Sequence, residues 1–233
     1  MSVVSGGGPI SLSDTNEDLR LYSMLGDVDL VRHMINLLIQ CGARHLIDDS
    51  EPVEGNTPLI EASRGGHTET VIELLKHGAE ITRANLMKHT PIRVAVRNGH
   101  ASTVKVLVQN GAAVREPSGW TALIEAARLG HAAVVVVLVA AHEAQGLGAD
   151  ATGGVNTTNI IGESALMLAA GNGDTHVVQT LLHLSANKDA QDSQGSTALM
   201  KAAGAGHTTV AMLLLKEGVD VSLADDHGDT AVL

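Results

Sequence analysis

Hydrophobic and polar positions along the chain fall into short blocks that come in pairs. In "GNTPLIEASRGGHTETVIELLKHGAE", Gly55 to Glu80, a first block of apolar and small residues opens at Thr57-Pro58 and stops at Gly66. A second block carries its apolar residues at helical spacing, ends on the pair Leu74-Leu75 and stops at Gly78. Each block is long enough for a helix of two to three turns, so the segment predicts a helix, a tight turn and a second helix. The same pairing returns when the chain is aligned on the hydroxyl residue before the first block. Thr57, Thr90, Thr121, Ser164, Thr197 and Thr230 fall in register, at spacings of 33, 31, 43, 33 and 33 residues. A fixed period in this range marks a stacked repeat protein.

The chemistry of the register positions supports that reading. A Ser or Thr starts each first helix, where its side-chain oxygen can accept an orphan backbone N–H. Pro58 and Pro91 follow at the first helical position, where a missing N–H does no harm. Small pairs come next: Ala62-Ser63, Ala95-Val96, Ala126-Ala127, Ala169-Ala170 and Ala202-Ala203. They let neighbouring helices lie close. Gly66, Gly99, Gly130, Gly173 and Gly206 end the first helices, and Gly78, Gly111 and Gly218 end second helices, with Ser185 standing in once. Composition agrees: 44% of residues are hydrophobic, yet Phe is absent and the aromatics are only Tyr22 and Trp120. A core without rings implies thin, closely packed layers and an elongated object.

These residues resemble the ankyrin repeat, whose pattern is close to D-x-x-G-x-T-P-L-H-x-A-A-x-x-G-H…L-L-x-x-G-A. The resemblance covers about Asp18 to Leu233. It implies an all-α ankyrin-repeat solenoid of stacked helix–turn–helix units with short β-hairpin fingers. On that register residues 1–15 are an expected disordered N-terminal segment and 16–233 the repeat domain. The domain divides into a degenerate cap (16–49) and repeats at about 50–82, 83–115, 116–148, 157–189 and 190–222, with a truncated repeat at 223–233. The cap has a Gly26-to-Gly42 distance of 16 rather than 12, which adds about one helical turn. The 43-residue spacing implies an inserted loop at about 142–159, "HEAQGLGADATGGVNTTN". The segment Asp225–Leu233 opens a further repeat and stops at its first helical turn, so the chain is expected to be a fragment. Two departures stand out. The family's His after T-P-L is Ile60, Arg93, Ile124, Met167 and Met200 here, which implies the loss of a bond that braces the turn. Asp174 replaces the His of one Gly-His pair.

Charge and motifs then narrow the function. The net charge is −11, against the basic face that nucleic acid or anionic membrane would require. The single cysteine, Cys41, forms no intramolecular disulfide and suits a reducing compartment. With no signal-peptide pattern at the start, the expected location is cytoplasmic or nuclear. The run "AAVVVVLVAA" is half a membrane span. "GLGADA" superficially matches a dinucleotide fingerprint, but the repeat register puts the apolar run before it on a helix, not a strand. His67, His100, His131 and His207 occupy the Gly-His position, where bonding the inter-helix turn is expected rather than metal binding; no paired ligand spacing appears. No nucleophile motif or phosphate loop is present. The expectation is no enzyme, no cofactor and no metal.

What the resemblance implies instead is protein–protein recognition on a concave surface of fingers and first helices. The positions that carry specificity there point to Arg64, Met87, His89, Arg97, Asn98, Trp120, Arg128, Leu129, Ile161 and Glu163. Arg64, Arg97 and Arg128 share one slot in three consecutive repeats. Met87, Trp120, Leu129 and Ile161 add apolar surface. Lys and Arg number three against eight Asp and Glu before residue 52, nine against seven from 52 to 142, and three against eleven after. A mildly basic middle between acidic ends favours a protein partner with an acidic stretch and an apolar anchor, bound by a monomer. The bland alternative for the Arg slot is a solvated helix face. Two other functions fit the pattern. One is the targeting segment of a larger enzyme or ubiquitin-ligase adaptor. The other is a sensor of a small anionic ligand built on Trp120, Arg97 and Arg128.

Overall fold

The structure, a computed structural model, describes residues 3–4, 9–10, 12–115, 121–144 and 154–231. It comprises two compact units, Met1–Ala113 and Val114–Leu233. The first unit holds a short antiparallel pair, β1 (Val3–Val4) with β2 (Pro9–Ile10), and helices α1 (Leu12–Leu25), α2 (Val28–Gln40), α3 (Pro58–Gly65), α4 (Thr68–Lys76), α5 (Pro91–Arg97) and α6 (Ala101–Gln109). Helices α1, α3 and α5 pack side by side as an inner layer, and α2, α4 and α6 form an outer layer. The second unit repeats the plan. Its inner helices are α7 (Ala122–Arg128), α9 (Ala165–Gly171) and α11 (Ala198–Gly204); its outer helices are α8 (Ala132–Ala144), α10 (Thr175–His183) and α12 (Thr208–Lys216). This is an all-α repeat architecture.

The expected helix signals act as read, with one exception. Thr57, Thr121, Ser164 and Thr197 each accept the backbone N–H three residues on. Thr90 starts α5 without such a bond, and Pro91 alone pre-sets the turn. Four of the five small pairs lie wholly in the cores of their units, with Ser63, Val96, Ala127 and Ala170 all 0% exposed; in the last pair Ala202 is buried and Ala203 is exposed. A larger side chain at any of the buried positions would force inner helices apart. Such overpacking costs about 1–3 kcal/mol.

Consecutive layers are tied at the inner-helix carboxyl ends. His67 Nε2 lies 2.9 Å from the Met24 carbonyl, His100 Nε2 2.8 Å from that of Arg64, and His207 Nε2 3.0 Å from that of Gly171. Each imidazole thus donates to an orphan carbonyl of the preceding repeat, the role expected for the Gly-His histidines. Asp174 cannot donate. It caps α10 instead by accepting from the Val177 N–H, and Asn172 Nδ2 donates to the Arg128 carbonyl at 2.7 Å.

Three expectations need correction. The first concerns residues 12–15, which were expected outside the repeat domain. They form the first turn of α1, with Thr15 buried, because α1 serves as the inner partner of α3. The second concerns the inserted loop at 142–159. Helix α8 runs on to Ala144, four residues longer than the nine of α10, and His142 is buried. Residues 145–153 lie outside the described residues; Asn156 already belongs to the next layer, its Oδ1 accepting the Asn187 N–H at 2.7 Å. The third concerns the bond thought lost with the family histidine. In two repeats a thioether replaces it, since Met167 Sδ accepts from Ser164 N–H at 3.5 Å and Met200 Sδ from Thr197 N–H at 3.4 Å. Sulfur is a weak acceptor, but the pairing completes a reciprocal cap. The longer cap helix is as expected: α2 has 13 residues against nine in α4.

Candidate functional site

Between one outer helix and the next inner helix the chain makes a tight finger, and a single side chain organises each. Asn85 Oδ1 accepts the N–H groups of Met87 and His89 at 3.0 and 2.9 Å. In the second unit Asn159 Oδ1 does the same for Ile161 and Glu163, Asp192 Oδ1 for Gln194 and Ser196, and Asp225 Oδ1 for His227 and Asp229. The first finger uses Glu51, whose carboxylate takes the N–H groups of Val53, Glu54 and Asn56. Those three bonds outweigh the burial that pushes the Glu51 carboxyl up, and leave it below the usual carboxylate range. Neighbouring fingers are then joined by one backbone bond each. In the first unit Leu86 N–H meets Glu54 C=O at 2.9 Å; in the second, Ser193 N–H meets Ile161 C=O and Asp226 N–H meets Gln194 C=O, both at 3.0 Å.

With its backbone groups turned inward, a finger must turn its tip side chains outward. In the first unit three of the four tip residues are apolar, with Val53 81% exposed, Leu86 68% and Met87 66%; the fourth is the exposed Glu54. In the second unit Ile160 is 87% and Ile161 50% exposed, whereas the two following tips are the polar Ser193-Gln194 and Asp226-His227. Sequence reasoning found Met87 and Ile161, which precede the finger glycine position. It missed Val53, Leu86 and Ile160, one residue earlier. The legible signal was an aliphatic residue at one slot inside three turns that otherwise need none.

The charged candidates behave differently. Arg64 Nη2 sits 2.9 Å from Glu54 Oε2, and Arg64 Nη1 3.8 Å from Glu61 Oε2. The hydrogen bond from Arg64 holds the Glu54 carboxyl below its usual range. Arg128 grips Glu125 with two bonds, Nε to Oε2 and Nη2 to Oε1, both 3.1 Å. The hydrogen bond to Glu125 raises the guanidinium of Arg128 above its ordinary value. Arg97 Nη1 lies 3.2 Å from His89 Nε2, so the imidazole accepts there. Asn98 closes α5 by donating to the Val94 carbonyl at 2.8 Å, and Leu129 is the half-buried residue that caps the carboxyl end of α7. Glu163 accepts from Asn159 Nδ2 and pairs with Lys201, whose ammonium also reaches the buried Asp192 carboxylate at 2.8 Å. Arg64, Met87, His89, Arg97 and Asn98 therefore lie in the first unit, and Arg128, Leu129, Ile161 and Glu163 in the second. Trp120 is outside the described residues.

Among the described residues no group of three or more His, Cys, Asp or Glu side chains could hold a metal ion, and no helix is long and apolar enough to cross a membrane.

Comparison with solved structures finds the same architecture. The ankyrin repeat domain of Bcl-3, described as a unique member of the IkappaB protein family, superposes with a TM-score of 0.75 at 27% identity, covering 92% of each chain. The human ASB11 ankyrin repeat domain superposes with a TM-score of 0.72 at 23% identity, covering 92% of this chain and 89% of that one. A comparison with curated protein sequences finds no match. Ankyrin repeats are generally modules of protein–protein interaction and are typically non-catalytic. The family model for ankyrin repeats (3 copies) matches residues 21–117, 82–152 and 146–225, so most of the sequence is accounted for and the chain belongs to the ankyrin repeat family.

Proposed function

We propose that the finger edge of the first unit binds a protein partner without catalysis, with Val53, Leu86 and Met87 as apolar anchors and Arg64, His89 and Arg97 as a polar rim. The observation that carries this reading is the exposure of three large aliphatic side chains on two fingers joined by a backbone bond. Contiguous apolar surface of this kind marks interaction sites more often than scattered apolar residues do. Ile160 and Ile161 give the second unit an apolar tip of its own, which we include as a further contact. Asn98, Leu129 and Glu163, taken from the sequence as contact residues, serve in this reading as supports of the fingers and helix ends. The acidic stretch first expected of the partner would meet Arg64 and Arg128 with carboxylates already in place, so the apolar anchor is the better supported feature. The one cysteine, Cys41, is free, in keeping with a reducing compartment such as the cytoplasm or nucleus.

The test is affinity capture with the full chain, a Val53→Ser/Leu86→Ser/Met87→Ser variant and an Ile160→Ser/Ile161→Ser variant, each first checked for unchanged helicity. Loss of apolar hot-spot contacts costs about 2 kcal/mol or more, so the triple variant is expected to bind a captured partner about thirty-fold more weakly. Retention of the same partners at full strength by both variants would sink the finger-edge reading.

A further inference from the structure

The second finger departs from the others at one residue. Gly55, Gly162, Gly195 and Gly228 occupy the finger turn with φ of 75, 80, 77 and 83°. Lys88 occupies the same position with φ of 63°. A side chain in this left-handed region is disfavoured by contact between its Cβ and the backbone, and glycine avoids the contact. Packing does not repay that cost, because the Lys88 side chain is exposed to solvent. Nor does an ion pair: among the described residues its ammonium has no ionic or hydrogen-bond partner. Other cations on inner helices are paired, Arg64 with Glu54 in the first unit and Arg128 with Glu125 and Lys201 with Asp192 in the second. Strain held at an exposed residue without a structural return points to a role in recognition.

We infer that Lys88 is a specificity-determining residue of the first unit's finger edge, its ammonium receiving a carboxylate of an extended partner segment whose adjacent aliphatic side chain rests on Leu86 and Met87. This rests on the reading that the finger edge binds a protein. Charge selects the occupant. One ammonium matches the single negative charge of an Asp or Glu, whereas a phosphate dianion calls for several converging donors. Arg64 is already paired with Glu54, and Arg97 lies against His89. The exposed Leu86 and Met87, immediately before Lys88 in the turn, require an apolar neighbour on the partner within one or two residues of its carboxylate.

The test starts from a random peptide library selected on the full chain. Enriched peptides are synthesised with their acidic residues intact or changed to the amide. Their affinities are measured for the unmodified protein and for Lys88→Ala, Lys88→Arg, Lys88→Gly and Leu86→Ser/Met87→Ser. The expected peptides carry Asp or Glu beside Leu, Ile or Val. Lys88→Ala should weaken them about five-fold at low salt, an effect that fades at about 0.5 M salt, and Lys88→Arg should restore it. Lys88→Gly should weaken binding equally while raising the unfolding midpoint by about 2–4 °C, which separates the recognition role from the backbone cost. Enriched peptides without an acidic residue, or ones that bind Lys88→Ala as tightly as the unmodified protein, overturn the inference. If those peptides still lose affinity for Leu86→Ser/Met87→Ser, the finger-edge reading survives. If they do not, or if no peptide is enriched, both fall.

Discussion

In the first unit, the carbonyl of Arg64 at the end of α3 is met by His100 of the next layer, 2.8 Å away. In the second unit, Asp174 stands in the histidine's place beside the equivalent carbonyl-bearing end of α7, and its side chain caps α10 by accepting the Val177 N–H. The bond to the Arg128 carbonyl is supplied instead by Asn172 at 2.7 Å. The two seams therefore satisfy the same orphan carbonyl from different positions. What the fold requires is a donor at that carbonyl, not a histidine. The substitution has a consequence for packing. A Cβ built on Gly66 would come within 2.5 to 2.8 Å of three atoms of the His100 ring, whereas one on Gly130 would meet a single close atom, Asp174 Oδ2 at 2.6 Å. The ring is bonded to the Arg64 carbonyl and meets the added Cβ with three of its atoms, whereas the Asp174 carboxylate is held through Oδ1 and meets it only with Oδ2.

That difference can be broken by mutation. Gly66→Ala combines a left-handed residue with a blocked ring, and is expected to destabilise the first unit by about 3 kcal/mol. Gly130→Ala has the same backbone penalty with an easier contact, and should cost about 1–2 kcal/mol. Equal losses in urea unfolding of the two variants would show that the imidazole is not the rigid element. A smaller effect is expected when the donor is removed. His100→Ala and Asn172→Ala should each cost about 1–2 kcal/mol by leaving a carbonyl unpaired. Adding Asp174→His to Asn172→Ala should recover most of the second loss, because it rebuilds the first unit's seam in the second. No recovery would mean that the carbonyl of Arg128 is not the group at stake.

The smallest effect is on acid stability, and it sharpens the comparison between units. In the first unit, the hydrogen bond from Arg32 is the largest influence on Glu73; despite burial, it and the nearby cations hold that carboxyl below its usual range. In the second unit, burial pushes the Asp192 carboxyl up, but the Lys201 ammonium and the N–H groups of Gln194 and Ser196 outweigh it, so it too lies low. A carboxyl depressed in the folded state contributes stability above its unfolded pKa and loses it as pH falls through the folded value. Thermal midpoints should therefore decline below about pH 4. Glu73→Gln and Asp192→Asn should each flatten part of the decline, and the pair together most of all. An unchanged slope in both would separate the acid response from these ion pairs.

Comparing the seams and fingers also shows which features could be read in advance. The Gly-His histidines were legible because they recur with the repeat, and a recurring polar residue at a helix junction has an orphan backbone group to serve. Asp174 was visible as a departure, but its remedy in Asn172 was not, since an Asn beside a turn glycine has several acceptors within reach. Arg128 could have been paired with Glu125 from their spacing of three on one helix. Arg64 with Glu54, ten residues apart across a finger, could not. Lys88 stands where the other described fingers have glycine, yet only the backbone angle shows that the turn keeps its left-handed shape around it.

The sequence by itself determined the paired helices, their caps, their closing turns and the thin layers of Ala, Val and Leu. These follow from interactions within a repeat or with its immediate neighbours, and each is written again at every period. The tertiary structure alone decided which cations are already neutralised, which finger tips face solvent and which side chain closes the α7–α9 seam. Those outcomes depend on distances of about 3 Å between side chains brought together by stacking, and spacing along the chain does not encode distances of that kind.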